Sequence, residues 1–344
     1  MSVKKTIHFI VNPISGTQKK DQIVNYIKKT LNSNCFDYEI KYTQYAGHAA
    51  VIAKEAADNG IDIVVAIGGD GTVNEVARSL VHRKTALAII PCGSGNGLAR
   101  HLEIPMEPTG AIQLLNECVI HELDYGKINN IPFFCTCGVG FDAFVSSKFA
   151  EAGKRGFLTY IENTLMEGLV YKPETYTIKI DDNEQMVYKA FLIACANASQ
   201  YGNNAYIAPN ASMSDGLMDV TIMEPISVLE APQIAIQLFN RRINYNSKIK
   251  TFRCKKVSIQ RSTPGVIHFD GDPVMTGKNV EVELVEKGLN VVINSHTTPQ
   301  LPLLKVFADF YNELNQMRDD ILEKQKRMIR TKQEQMRNSL KRFK

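Results

Sequence analysis

Residues 63–80 read IVVAIGGDGTVNEVARSL, an apolar run broken by a glycine turn and resumed at once as a helical pattern. No other stretch limits the fold as tightly. A strand that turns on glycine straight into a helix is the unit of an α/β layer. Such a junction aims backbone N–H groups and the positive helix end at one point, which suits phosphate. Asp70 lies inside the turn and would repel a phosphate placed there. Its presence calls for a cation, a proton-transfer task in phosphoryl transfer, or service as a cap on the following helix.

Three similar units surround this one. IHFIV (7–11) precedes the turn NPISG and an amphipathic pattern over 18–31. YEIKYT (38–43) precedes a helical pattern over 47–59, and ALAIIP (86–91) precedes the loop CGSGNG and a helix from Leu98. IDIVVAI (61–67) is the third strand, with its helix from Thr72. Alternating strand and helix predicts a parallel sheet. Ligands in such sheets bind at the carboxyl ends of the strands, so NPISG, GGDGT and GSGNG are expected along one edge.

From about residue 129 the texture becomes β-rich: FFCTCGVGFD, TYTIKID, MVYKAFLIACANA, LMDVTIM, FRCKKVSIQ, VIHFDGD and VEVELV, with one helical segment over 143–170. That pattern predicts a β-sandwich-like domain. Residues 301–344 read as helical, with Phe307, Phe310, Leu314, Met317 and Ile321 on one stripe. The expected organisation is an α/β nucleotide-binding domain over 1–128, an all-β lipid-binding domain over 129–295, and a helical segment over 296–344 returning to the first domain and ending in a basic tail.

Charge is spread unevenly. The chain is +4 overall, and residues 316–344 hold ten Lys/Arg against four Asp/Glu, a local +6 that leaves −2 for the rest. The body is therefore no nucleic-acid binder by charge, and an anionic surface would meet the tail. Seven cysteines, an odd number and mostly in apolar runs, suit buried thiols in a reducing cytoplasm. Cys135 and Cys137 have no second pair at zinc-site spacing. The N-terminal apolar run is too short for a signal peptide, and no stretch approaches the ~20 apolar residues of a membrane span.

In the turns, glycine lets backbone approach phosphate oxygens, and Asn12, Thr72 and Ser94 can add side-chain hydrogen bonds. Glu75 could reach a nucleotide or an ion, or serve the helix dipole. Ser214-Asp215-Gly216 is a turn signature, and Asp270-Gly271-Asp272 a hairpin signature.

Taken together, Asn12-Pro13-Ile14-Ser15-Gly16, residues 68–75, residues 91–96, Gly140-Phe141-Asp142, PNASMSDGLMDV (209–220) and Asp270-Gly271-Asp272 resemble the diacylglycerol kinase and sphingosine kinase family, which includes bacterial lipid kinases. The resemblance covers roughly residues 5–295. It implies ATP across the three turns, at Asn12, Pro13, Ser15, Gly16, Thr43, Gly69, Asp70, Gly71, Thr72, Asn74, Glu75, Gly93, Ser94 and Asn96. It implies Asp70 and Asp272 as catalytic acids, Mg²⁺ at Ser212, Asp215 and Leu217, the first and third through backbone carbonyls, and Asp142 near the head of the acceptor.

Departures stand beside these matches. Gly93-Ser94-Gly95-Asn96 resembles sphingosine and ceramide kinases more than the GT-x-ND loop of many bacterial diacylglycerol kinases. Thr17, with Lys19 and Lys20 beyond it, stands where a basic residue often follows the first turn. A second-domain base for the phosphates is expected at Lys154 or Arg155.

The resulting expectation is an ATP-dependent lipid kinase that phosphorylates the hydroxyl of diacylglycerol or of a sphingoid base such as sphinganine. It would be cytoplasmic and peripheral at the inner membrane face. The tail, with Met328, Ile329, Met336, Leu340 and Phe343, would contact lipid headgroups or form a homodimer contact. An NAD kinase shares a GGDGT loop, and a non-catalytic lipid- or nucleotide-binding regulator is the remaining alternative. Asp70→Asn is expected to lose about two orders of magnitude in turnover with the fold intact.

Overall fold

Strand and helix alternate through the first third of the chain, as the periodicity predicts. β1 (Lys5–Val11), β2 (Phe36–Tyr42), β3 (Ile63–Gly68) and β4 (Ala86–Pro91) run parallel in the order β2-β1-β3-β4. β3 and β4 are buried throughout. They read as unbroken apolar runs because helices cover both faces. Among these helices, α1 (Lys20–Thr30) packs on α5 (Pro108–Glu117) and α2 (His48–Asp58) on α3 (Asp70–Leu80), while α4 (Gly97–His101) is short.

The computed structural model describes residues 4–16, 20–152, 171–227 and 230–294. The described residues all lie in one compact unit. The expected C-terminal helix and basic tail lie outside the described residues, as do Thr17, Lys19, Lys154 and Arg155.

The second lobe contains β5 (Ile120–Ile128), β6 (Ile131–Phe133), β7 (Thr136–Gly140) and α6 (Phe141–Ala152). β8 (Glu174–Ile180), β9 (Met186–Ala190), β10 (Leu192–Ala196), β11 (Met218–Met223) and α7 (Ala231–Phe239) follow. β12 (Ile249–Cys254), β13 (Lys256–Arg261), β14 (Gly265–Phe269), β15 (Asp272–Thr276) and β16 (Asn279–Val292) complete it. One sheet has the order β12-β11-β10-β7-β14-β15. It faces the β16-β13-β8 part of the other sheet across a core that includes Cys137, Val139, Ile193, Ile267, Ile178, Ile259 and Val282.

Two features depart from the sequence reading. β16 pairs with β13 at one end, while near the other its Val291 meets Leu87 of β4, so a single ten-stranded sheet runs through both lobes. Only VEVELV signals this strand, because Glu286-Lys287-Gly288 interrupts it where its register against β5 shifts. α7 is a helix among the strands that sequence reading does not anticipate. Its Ile234, Ile236 and Leu238 alternate as in a strand, which hides that Ile234 and Leu238, four apart, form its inward face.

Close approach fixes the turns that follow β1, β3 and β4. Gly16 has φ +63°, and a Cβ there would sit 1.6 Å from the Cys92 carbonyl oxygen. Gly47 also has positive φ but faces open space. Gly47→Ala should therefore cost only the left-handed backbone penalty, about 1–2 kcal/mol. Gly16→Ala should cost clearly more, because the first turn must move off the third. Urea midpoints of the two variants check this, and equal losses would contradict it.

Candidate active site

Three turns meet at the carboxyl edge of the first sheet, and their polar side chains mostly bind one another. Asn12 donates from Nδ2 to Thr72 Oγ1 at 2.9 Å, tying the first turn to the second. Its Oδ1 accepts the Ile14 N–H at 3.2 Å, which closes an Asx turn. Ser15 is buried, and its Oγ donates to the Asn12 carbonyl at 3.1 Å. Lys20 reaches the Ser15 carbonyl at 2.6 Å. The backbones of Gly69 and Gly93 touch so closely that a Cβ on Gly93 would lie 2.7 Å from the Gly69 Cα. Asn96 staples its own loop through the N–H and C=O of Gly93 at 2.9 and 2.8 Å. Thr43 sits beside the first turn, its N–H on the Val11 carbonyl at 2.9 Å.

Asp70 does not point at an open phosphate seat. Its Oδ2 accepts the Asn96 N–H at 2.8 Å and its Oδ1 the Gly97 N–H at 2.7 Å. The aspartate thus caps the third turn and the start of α4, rather than its own helix. That answers the repulsion argument in a way the sequence did not suggest, since the carboxylate charge is met by backbone donors of a neighbouring loop. Burial raises its pKa, against the opposing pull of the Gly97, Asn96 and Asp70 N–H groups and of Arg100. Arg100 donates from Nε to the Gly95 carbonyl at 3.0 Å.

Glu75 is likewise engaged. Its two oxygens accept the N–H groups of Gly47 and Ala49 at 3.0 and 3.2 Å, capping α2. Asn74 faces the second lobe, donating from Nδ2 to Asp270 Oδ2 at 2.6 Å. Pro13, Ile14, Gly16, Gly71 and Ser94 form the exposed lip of the turns.

Asp270 is the residue that sequence reasoning missed. Besides Asn74, it accepts the N–H groups of Phe134, Cys135 and Thr136 at 2.8, 2.7 and 3.1 Å. It thereby links β14 and the start of β7 to α3 of the first lobe. Burial raises its pKa despite these donors. Two residues on, Asp272 is exposed at the start of β15. Partial desolvation raises its pKa, Arg78 of α3 opposes the rise, and Glu75 adds to it. Arg78 of the helix that grows from the GGDGT turn lies over the Phe269 ring, 5.2 Å from its centroid, and Phe269 pairs with Asp272 across the hairpin. His101 of α4 joins the lobes as well, accepting the Ser199 N–H on Nδ1 at 3.1 Å. Burial, aided by the charge of Arg241, pushes its pKa down to about 4.

Asp142 opens α6 and is buried. It accepts hydrogen bonds from the Ala143 N–H at 2.8 Å and the Tyr201 hydroxyl at 3.2 Å, and pairs with His268 at 3.0 Å. Phe141, Phe144, Tyr171 and Phe191 cluster beside it, with ring centroids 4.4–5.5 Å apart.

Of the residues that the resemblance implies for a divalent ion, Ser212 and Leu217 would ligate through backbone carbonyls and Asp215 through its carboxylate. The Asp215 carboxylate pairs with Arg253 and accepts the Leu217 N–H at 3.1 Å. Ser212 turns its hydroxyl toward Ser214. A guanidinium already matches the one carboxylate of the set. Among the described residues no three His, Cys, Asp or Glu side chains gather as ligands. Mg²⁺ wants several unencumbered oxygens in octahedral array.

Residues 6–128 match the diacylglycerol kinase catalytic domain, and residues 135–293 match the YegS C-terminal NAD kinase beta sandwich-like domain. A protein of Chromohalobacter salexigens named a probable YegS-like lipid kinase is 31% identical over 208 residues, 58% of this chain and 67% of its own. A diacylglycerol kinase of Mycobacterium tuberculosis is 29% identical over 232 residues, 65% of this chain and 73% of its own. The crystal structure of a diacylglycerol kinase from Bacillus anthracis superposes with a TM-score of 0.68 at 21% identity, covering 86% of this chain and 99% of that one. The chain belongs to the diacylglycerol kinase catalytic domain family of lipid kinases.

Asp70→Asn would turn one carboxylate oxygen into an NH₂ facing a backbone N–H. We expect it to lower thermal stability as well as turnover, by about 1–3 kcal/mol for the buried donor left unmet. Melting of the variant followed by circular dichroism checks it, and an unchanged Tm would contradict the capping role.

Proposed function

We propose that the protein transfers the γ-phosphoryl group of ATP to the hydroxyl of a long-chain lipid, diacylglycerol or a sphingoid base. The observation that carries this reading is the position of Asp272. It is exposed on the hairpin tip and electrostatically coupled to Arg78 and Glu75 of the helix that leaves the GGDGT turn. The exposed lip of the three turns, Gly71 and Ser94 above all, is where backbone N–H groups would meet the phosphates. The lipid side is supported by Asp142 beside four aromatic rings, a polar group at the edge of an apolar cluster. The basic residues of 316–344 would hold the protein at an anionic bilayer. Among the described residues no helix is long and apolar enough to cross a membrane.

In this reading the turns hold the phosphates, Asp70 keeps the third turn in place, and Asp272 orients the acceptor hydroxyl and takes its proton. Positioning and charge stabilisation supply most of the rate in phosphoryl transfer. A positioned base contributes about 10²–10⁴-fold. Asp272 can act only when ionised, so turnover should fall as pH drops through its pKa. That acid limb should lie above the ordinary aspartate value of about 3.9, because desolvation raises Asp272.

Incubation with labelled ATP and a panel of lipids, with NAD as a control acceptor, tests the activity. A labelled lipid supports it, and label in NAD alone would contradict it. In the same assay Arg78→Gln should move the acid limb to higher pH, since it removes the charge that favours the carboxylate. A limb that stays in place or moves down would remove Asp272 from the proton-accepting role.

A further inference from the structure

The nine residues of α7, APQIAIQLF, include no charge. Ile234 is buried, and Leu238 packs beside it on the apolar cluster that holds Phe141, Phe191, Ile243 and Ile249. Residues four apart share a helix face, so these two mark the inward side. Ile236 lies away from it, 42% exposed, with Pro232 exposed one turn earlier. A surface helix ordinarily turns charged residues outward. One that is apolar on both sides belongs in an interior or against lipid.

The turn that follows supplies the charge that α7 lacks. Residues 231–250 hold Arg241, Arg242, Lys248 and Lys250 and no Asp or Glu, a local +4 in a body that is −2 over residues 1–315. Arg241 is engaged, its guanidinium 4.2 Å from the centroid of the Tyr206 ring. Elsewhere in the second lobe Lys127, Arg253, Lys255 and Lys256 pair with carboxylates. Among the described residues Arg242 and Lys248 pair with none. Lys248 lines a groove of about 250 Å³ beside α7, together with Gln233, Gln237, Tyr245, Asn246 and Ser247. Glu230 also reaches this groove, but its Oε2 is occupied by the N–H and the hydroxyl of Ser227 at 2.7 and 2.8 Å. Tyr245 is 79% exposed. A ring with an apolar body and a hydroxyl tip suits the headgroup layer of a membrane.

We propose that α7 and the turn after it form a surface that docks on an anionic phospholipid bilayer. Pro232 and Ile236 enter the boundary of the acyl chains, and Tyr245 sits among the headgroups. Arg242 and Lys248 meet lipid phosphates, with the hydroxyl and amide donors of the groove beside Lys248. Charge selects a bilayer over a second copy of this chain, because two such basic patches repel each other. The surface is distinct from the basic segment 316–344. It shares its apolar cluster with Phe141 and Phe191, so docking here brings the bilayer to the apolar side of Asp142. The inference goes beyond the lipid kinase reading and does not require it.

The chain has no tryptophan, so Ile236→Trp installs a single fluorescent probe on α7. The full chain is mixed with vesicles of phosphatidylcholine and phosphatidylglycerol in equal parts, without acceptor lipid or ATP, so failure of the kinase reading leaves the test untouched. Emission of Ile236→Trp should move to shorter wavelength and be quenched by bromine-labelled acyl chains. Tyr26→Trp, on α1 of the first lobe, should bind the same vesicles without quenching. Arg242→Gln combined with Lys248→Gln should lower the partition coefficient by about 25-fold, near fivefold for each charge at an anionic surface. Lys28→Gln combined with Lys54→Gln, exposed residues of α1 and α2, should change it about twofold or less, because charges far from the contact are screened. Vesicle-bound Ile236→Trp with unquenched emission means that another surface holds the membrane, and it overturns the proposal. Equal losses from the two charge pairs, or no binding to these vesicles, overturn it as well. A shift of emission without vesicles that grows with protein concentration assigns the face to a second copy of the chain and overturns it too.

Discussion

The Asp270 carboxylate sets the spacing of everything in the cleft. Four N–H donors converge on it, three from consecutive backbone amides at 134–136 and one from Asn74 of the first lobe. Each charge-assisted bond is stronger than a neutral one, and their common focus lets neither the strand nor the helix shift alone. Because Asp270 is the last residue before the hairpin glycine, this tie also aims Asp272. The acid that would meet the acceptor is positioned by the acid that never leaves the interior.

The same economy runs through the glycine turns. Asp70, Glu75, Asn96 and Asn12 all carry atoms able to bind a nucleotide, yet Asp70, Glu75 and Asn12 use them on another turn or helix and Asn96 on its own loop. What remains for a phosphate is backbone, held rigid by those side chains. Rigid backbone dipoles need no rearrangement as charge moves during transfer. Continuity of the sheet adds to this: β16 spans both lobes, so the first-lobe turns and the second-lobe hairpin hang from one framework.

Much of the fold was legible in the chain. The four parallel strands announced themselves because burial on both faces leaves only apolar residues, and the glycine turns because few other residues survive backbone contact. β16 was half hidden by its polar interruption, and α7 by an apolar alternation that fits a strand as well as a helix. The site was legible by location more than by role. Sequence places Asp70, Glu75 and Asn74 beside the turn, but their partners lie 26–28 or 196 residues away, and no local pattern encodes such distances. Asp270 and His268 had a weaker signal: His268 stands between the apolar Ile267 and Phe269, and Asp270 follows the last residue of that strand. The Asp215–Arg253 pair had none, since a Ser-Asp-Gly turn looks the same with a guanidinium or an ion beside it.

The central claim is that the three turns hold a nucleotide's phosphates on backbone while Asp272 waits across the cleft. A crystal structure with ADP bound tests it most directly. The account predicts phosphate oxygens within hydrogen-bond distance of the N–H groups at Gly71 and Ser94, with Asp70 still on Asn96 and Gly97. An ADP seated away from that lip, or reached only after Asp70 lets go of the third turn, would contradict it.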